Sequence, residues 1–459
     1  MRALRSSRRQ FLTLASGGIA AAGLAACGAD PADTGDSAPT PAPERPPEPP
    51  AWDAPGQQDD TLFACGVQSG DATPTGVRLS VWTTAAALRL VVVRAEGTAW
   101  VDHLELSGLA PDAAGHLAVT LDGLLSPDTA YALCFVTTDG LARSPVARVR
   151  TALAETSPRR RISFGATSCL RDENTPWPNL SFAAAADLDF FCLLGDTVYA
   201  DAAEDLDGYR AYWRTALSTA GLRAVTSSTS VVATWDDHEV GNNWDLETVG
   251  QARVDAARQA FREGLPQGTG PDGASIWRSV AWGDVLELIV LDSRGERRDG
   301  RYMSEAQLAW VKDTLRASRA RFKFVLNSVP ITDLWAFFRD LQAQDRWQGH
   351  PEERAELLAH IVEHDIRGVV FLAGDLHYGQ VGWVDPEGGV AAHIPEVLVG
   401  PSGSLVNLIA AVYPGNVQYP VVVPAWNWCR FDVDPELGTV RVRHIGDDGL
   451  ALSDMVLTP

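Results

Sequence analysis

The 459-residue chain lacks a basic footprint: 38 lysines and arginines stand against 59 aspartates and glutamates, a formal net charge of −21. That balance excludes duplex nucleic acid or an anionic membrane surface as the chief partner, because both are held through clustered cations. A bilayer-spanning apolar run is lacking too, since the run from Leu14 to Ala26 is too short to span stably. Cysteine is scarce, six residues in all, and each has to be sorted by its surroundings.

What is present at the start is a basic stretch, Met1 to Arg9, with the twin arginine of Ser7-Arg8-Arg9-Gln10-Phe11-Leu12, followed by small apolar residues. This reads as an export signal over residues 1–29, of the kind that moves proteins already folded. It closes on Leu24-Ala25-Ala26-Cys27, a lipobox-like sequence. The expected location is the periplasm or cell surface, with lipid on Cys27 as the favoured reading and simple cleavage to a soluble product as the alternative. Residues 30–57, rich in Pro, Ala, Glu and Asp, read as a stiff, disordered tether.

The length suits two folded parts. Over residues 58–155, short strands are expected at Gly76 to Thr83, Leu88 to Arg94, His116 to Leu121, Tyr131 to Thr137 and Val146 to Thr151. That spacing suits a small β-sandwich. Cys65 and Cys134 both fall there, so a bridge between them is reasonable. Cys192, inside Phe190-Phe191-Cys192-Leu193-Leu194, reads as core packing, and the pairing of these with Cys429 stays open. Over residues 156–459, apolar strands alternate with helical stretches, the pattern of a layered α/β domain. Ser304 and Gln307 read as a capping box before the spaced Leu308, Val311 and Leu315.

Four apolar strands in this second part run straight into residues that bind metals or move protons. Ile162 to Thr167 ends in Ser168-Cys169, with Arg171 following. Phe190 to Leu194 ends in Gly195-Asp196-Thr197-Val198-Tyr199-Ala200-Asp201. Val231 to Trp235 ends in Asp236-Asp237-His238-Glu239, then Gly241-Asn242-Asn243. Val369 to Leu372 ends in Gly374-Asp375-Leu376-His377. Open α/β sheets place ligands beyond the carboxyl ends of their strands, so the four tips are expected to converge. Buried carboxylates brought together repel and lose hydration, at a cost of several kcal/mol per charge unless cations compensate. Bound metal ions are the expected answer. One competing motif, His360-Ile361-Val362-Glu363-His364, fits an inverted zinc-protease pattern, but its helix already uses Leu358, Ile361 and Val362 for packing.

The same residues resemble the alkaline phosphatase D family of metallophosphoesterases: Ser168-Cys169, Gly195-Asp196-x-x-Tyr199, Trp235-Asp236-Asp237-His238-Glu239-x-x-Asn242-Asn243, Leu291-Asp292-x-Arg294 and Gly374-Asp375-x-His377. The opening Cys65-Gly66-Val67-Gln68-Ser69-Gly70-Asp71 is also similar to that family's N-terminal module. The resemblance implies a four-layer α/β/β/α catalytic domain preceded by the β-sandwich. It implies a centre with Fe³⁺ and Ca²⁺, the second metal open to another divalent ion. Cys169, Tyr199 and His377 would bind iron, Asp196 would bridge, and Asp237 and Asp375 would hold the second metal. Hard phenolate and carboxylate oxygens suit Fe³⁺, and oxygen-only ligation suits Ca²⁺. The activity it implies is hydrolysis of phosphomonoesters, phosphodiesters or both by a metal-bound hydroxide, serving phosphate scavenging. His238 would serve the leaving oxygen, and Arg171 and Asn243 the phosphate oxygens. The sequence departs from the family after Cys169, where Leu170-Arg171-Asp172 stands in place of an expected Gln, which puts the Arg171 role in doubt. Substrate choice is expected to lie with such loops and with Trp177, Trp244, Trp335 and Trp347. The phosphate-ester substrate is expected to meet a monomer. Alternatives are a phospholipase-type phosphodiesterase of the same fold and a non-catalytic ligand-binding lipoprotein; no loss of His238 or of a bridging acid points to the latter.

Overall fold

The runs before the polar tips carry no charged residue, so each can be stable only inside a sheet covered on both faces. A computed structural model of the chain, which describes residues 40–332, 343–412 and 417–459, places them there. Ile162–Thr167, Phe190–Leu194 and Ser230–Thr234 are parallel neighbours at the centre of a nine-stranded sheet. Val369–Ala373 lies in a seven-stranded sheet, parallel to Phe322–Leu326 on one side and Pro395–Leu398 on the other.

The two sheets face each other across one apolar layer. Phe164 stacks on Phe190 and Phe431 with centroids 4.8 and 4.6 Å apart, and meets Phe324 of the opposite sheet edge-on at 5.0 Å. Leu206–Ser218, Ala220–Ser228 and Gln251–Gly264 cover the outer face of the larger sheet with Tyr209, Trp213, Leu222 and Phe261. Glu305–Ala317 and Pro351–Glu363 cover the smaller with Leu308, Val311, Leu357 and Ile361. The result is the expected order helix, sheet, sheet, helix. Among the described residues no helix is long and apolar enough to cross a membrane.

The β-rich segment is joined more closely than a separate module would be. A six-stranded sheet containing Leu88–Glu96, Ala99–Leu109 and Ala130–Thr137 packs on Val67–Gly70, Val77–Trp82 and His116–Leu121. Those last three strands extend the nine-stranded sheet, where Gly70 pairs with Val231 and the Asp71 amide donates to the Val231 carbonyl at 3.1 Å. The joint is fixed by Arg278, 4% exposed, which holds Asp71 through Nε at 2.6 Å and Nη2 at 2.9 Å.

Several expectations are corrected. Residues 40–57 do not hang free: Ala42 is buried, its amide donates to Asp434 at 3.2 Å, and Arg45 reaches Asp187 and the buried Asp189. The Pro-rich composition is overridden because Arg45 brings a cation to a carboxylate cut off from water. Cys65 and Cys134 are free thiols, as are Cys169, Cys192 and Cys429. Cys134 packs with Ala54 and Val136, while Cys65 belongs to the helix-covered core. Ser304 does cap the helix by accepting from the Gln307 amide at 3.1 Å. The reciprocal half of the box is absent, because the Gln307 amide group turns to the Asp292 carbonyl and Glu296 instead. Residues 1–29 with Cys27, the first part of the tether, and Trp335 lie outside the described residues.

Candidate metal centre

At each strand tip the backbone turns sharply, and the turning residues are the ones with chemistry. Cys169, Asp196, Asp375 and His377 have φ of 57°, 54°, 64° and 58°, and Asn243 has 49°. Asp and Asn tolerate this left-handed region, but each such residue still costs about 1–3 kcal/mol, which the surroundings must over-determine. They do so with backbone bonds between tips. The Cys169 carbonyl accepts from Gly403 at 3.0 Å and Ser404 at 2.9 Å, and the Leu170 amide donates to the Asp196 carbonyl at 2.8 Å. Gly195 is required, since a Cβ there would lie 2.5 Å from Asp236 Cβ.

Glu239, fully buried, ties two tips together. Its carboxylate accepts the amides of Asp196 at 3.1 Å, Thr197 at 2.7 Å and Asp236 at 2.9 Å. Burial pushes its carboxyl up to about 7 in spite of these bonds.

The convergence read from the sequence is met. Donor atoms of Cys169, Asp196 and His377 lie within 4.8 Å of one another, and so do those of Asp196, Asp237 and His238. Asp196 belongs to both groups. Tyr199 joins it by donating from its hydroxyl to Asp196 Oδ2 at 3.1 Å, beside Ser404 Oγ at 2.6 Å. His377 Nδ1 donates to the Leu405 carbonyl at 3.0 Å, which fixes the tautomer and leaves Nε2 as the ring nitrogen open to a ligand.

The charge balance at the tips fits cations. Asp196 Oδ1 and Asp236 Oδ2 are buried with no hydrogen-bond partner. Burial, then Asp237 and Asp236, push the Asp196 carboxyl well above the usual range. Burial and Asp196 together push up the Cys169 thiol and the Tyr199 phenol. Cys169 and Tyr199, driven toward their neutral forms and packed around the Asp196 carboxyl, match a positively charged ligand.

Asp236 and Asp237 have different partners. Asp236 Oδ1 accepts from Arg294 Nε at 2.6 Å and Ser328 Oγ at 3.1 Å, and the fully buried Arg294 is shared with Asp345. Arg294 thus engages one oxygen of Asp236 and leaves the other unbonded, while Asp237 is the member that stands in a close donor group. Asp375 belongs to the same charged set, its carboxyl pushed up by burial and by Asp236, but it stands outside both close donor groups. Arg171 and Asn243 lie at the rim. The Arg171 guanidinium, 55% exposed, sits 5.4 Å from the Tyr199 ring centroid, and the Asn243 amide donates to Asp237 Oδ2 at 2.6 Å.

Asp201 is a functional neighbour to which the sequence assigned no role. Its Oδ1 accepts from His238 Nδ1 at 2.8 Å and from the Asn242 amide at 2.6 Å. Burial works against a charged His238, yet the Asp201 bond and the nearby Asp237 outweigh it and raise its pKa. Position gave a faint signal: Asp201 follows Tyr199 by two residues, and Glu239 adjoins His238. The tryptophans do not line the site as expected, for Trp177, Trp244 and Trp347 are 4%, 2% and 0% exposed. The protease-like histidines are occupied by the backbone, His360 Nε2 at 3.1 Å from the Lys312 carbonyl and His364 Nδ1 at 3.0 Å from the His360 carbonyl.

A profile of the PhoD-like phosphatase family matches residues 164–404, more than half of the chain and all four strand tips. Alkaline phosphatase D of Bacillus subtilis (strain 168) is 26% identical over 381 residues, 69% of this chain, which spans 64% of that relative's length. A solved structure of PhoD superposes with a TM-score of 0.73 at 22% identity, over 88% of this chain and 90% of the other.

Proposed function

Because this chain belongs to the PhoD-like phosphatase family, we propose that it is an exported, metal-dependent phosphoesterase acting on phosphomonoesters, phosphodiesters or both. The observation that carries the metal dependence is Asp196, a buried carboxylate common to both donor groups with one oxygen left unbonded. Cys169, Tyr199 and His377 would hold Fe³⁺, and Asp237 with Asp375 a Ca²⁺ or another divalent ion, with Asp196 between them. The hard phenolate and carboxylate oxygens suit Fe³⁺, and the all-oxygen pair suits calcium. When bound, the cations supply Lewis acidity, neutralising the phosphoryl oxygens and acidifying water.

The chain's own residues do the rest. Arg171 and the side chain of Asn243, both on the rim, would bind and orient phosphoryl oxygens. His238, held by Asp201 at Nδ1 so that Nε2 is left for the substrate, would give its proton to the leaving oxygen. Glu239 and the 403–404 amides hold the tips rigid while charge develops.

The twin-arginine start and Leu24-Ala25-Ala26-Cys27 support export, with lipid on Cys27, to the periplasm or cell surface. The enzyme would act there as a monomer on phosphate esters. Hydrolysis of a monoester and a diester, before and after chelation and with metal analysis of the purified protein, tests the reading. Turnover that falls with chelation and iron in the preparation are expected; no turnover of either ester and no iron would sink it. Retention of both iron and activity in Cys169→Ala would refute the thiolate alone.

A further inference from the structure

Large apolar side chains left in water usually have a reason when they cluster. Leu405, Leu408 and Ile409 are 64%, 70% and 44% exposed. They stand on a firm base. The Asn407 amide donates to the His377 carbonyl at 2.9 Å, and the Asn407 side chain donates to the Leu376 carbonyl at 3.2 Å. Ala410 is buried with Ala373, Tyr378 and Leu398. The segment is thus pinned to the loop that carries Asp375 and His377, and it begins just after Ser404, the partner of Tyr199. Its anchoring uses Asn407, Ala410 and the backbone, so the fold itself does not call for apolar residues at 405, 408 and 409.

We infer that Leu405, Leu408 and Ile409 form an apolar lip beside the metal centre that receives the hydrocarbon part of the substrate's alcohol, favouring aliphatic or aromatic esters over small polar ones. This rests on the phosphoesterase reading. Among the described residues three clustered side chains fall short of a stable protein partner's footprint, about 800 Å² on each side. The net charge of −21 disfavours docking on an anionic bilayer. A hydrocarbon group already tethered to a bound phosphoryl group needs only a modest contact, since each methylene taken from water is worth about fourfold in affinity.

The test compares methyl, butyl and hexyl phosphates, and the matching dialkyl phosphates, on the metal-loaded full chain below their aggregation limits. KM is expected to fall by about tenfold or more from methyl to hexyl. In Leu408→Ser/Ile409→Ser that ratio is expected to shrink to about threefold or less. Calorimetric binding of methylphosphonate and hexylphosphonate reads the same ratio without turnover, so failed hydrolysis would overturn the phosphoesterase reading while the lip is still judged. Leu408→Ser alone, with an unchanged melting temperature, guards against a misfolded double variant. Equal chain-length dependence in wild type and variants, or none in wild type, overturns the inference. So does a flat series accompanied by loss of self-association in sedimentation, or by loss of binding to phosphatidylcholine vesicles, because the patch would then be a surface for another copy or for lipid.

Discussion

Asp189 and Asp196 flank the two ends of the strand Phe190–Leu194, and both are buried, at 0% and 2% exposure. Asp189, at the entrance, takes Arg160 at 2.9 Å and has Arg45 and Arg150 at 3.6 and 3.8 Å. Burial alone would raise its pKa, but the arginines outweigh burial and hold the carboxyl below its usual range. Asp196, at the exit, has its strongest charged neighbours in Asp237, Asp236, Glu239 and Asp375, and its carboxyl is driven up. One strand therefore carries a carboxylate that the chain neutralises from within and another that it does not. Under the proposed function the first serves folding and the second holds a cation.

Asp196→Asn should separate the two most sharply. Removing the shared carboxylate is expected to lower kcat/KM by about a thousandfold or more. The chelated protein should be no less stable than chelated wild type, since a repelled charge has gone. Steady-state kinetics beside urea unfolding checks both halves, and near-normal turnover would break the comparison. Asp189→Asn is expected to do the reverse, costing about 3–5 kcal/mol of stability by stranding buried arginines, with kcat of the folded fraction intact. Its pH dependence has a definite sign. A carboxyl whose folded pKa is depressed contributes stability that is present above the unfolded value, about 3.9, and is lost as pH falls through the folded one. Wild type and Asp189→Asn should thus converge in unfolding free energy below about pH 4. A gap that persists into acid would mean that packing, not charge, holds that end of the strand.

The asymmetry was half legible in the sequence. The exit end announced itself because Asp196, Asp237, Asp375 and His377 follow apolar runs at short, repeated spacings, and strand ends converge by topology. The entrance end did not, for the cations that neutralise Asp189 come from Arg45, Arg150 and Arg160, residues whose nearness only the tertiary fold creates. The same limit explains the tether, whose composition says nothing of the buried acid that Arg45 serves. It explains the sandwich as well. Its strands were legible from alternation, but their joining to the larger sheet depends on Gly70 meeting Val231 and on Asp71 meeting Arg278, which spacing cannot show. Tryptophan content pointed to the rim, where burial removes Trp177, Trp244 and Trp347 from contact and the exposed side chains are instead leucines and an isoleucine.

A third carboxylate, Asp201, sharpens the contrast with a smaller effect, because it is neither sealed in by arginines nor shared between donor groups. Its side chain is 40% exposed, and it accepts from the His238 side chain at Nδ1. Burial tends to raise its pKa, but the His238 bond lowers it on balance, while the same bond raises that of His238. If His238 acts as the acid toward the leaving oxygen, its protonated form is the active one, and a raised pKa keeps that form populated to higher pH. Asp201→Asn should therefore reduce kcat by about ten- to a hundredfold and move the alkaline limb of the kcat profile to lower pH. Because Asp201 belongs to neither donor group and meets the second only through His238, iron content should stay unchanged and unfolding free energy should move by less than about 1 kcal/mol. A fall in kcat with the alkaline limb unmoved would mean that Asp201 orients the imidazole without tuning it, and a loss of metal would place this carboxylate with Asp196 after all.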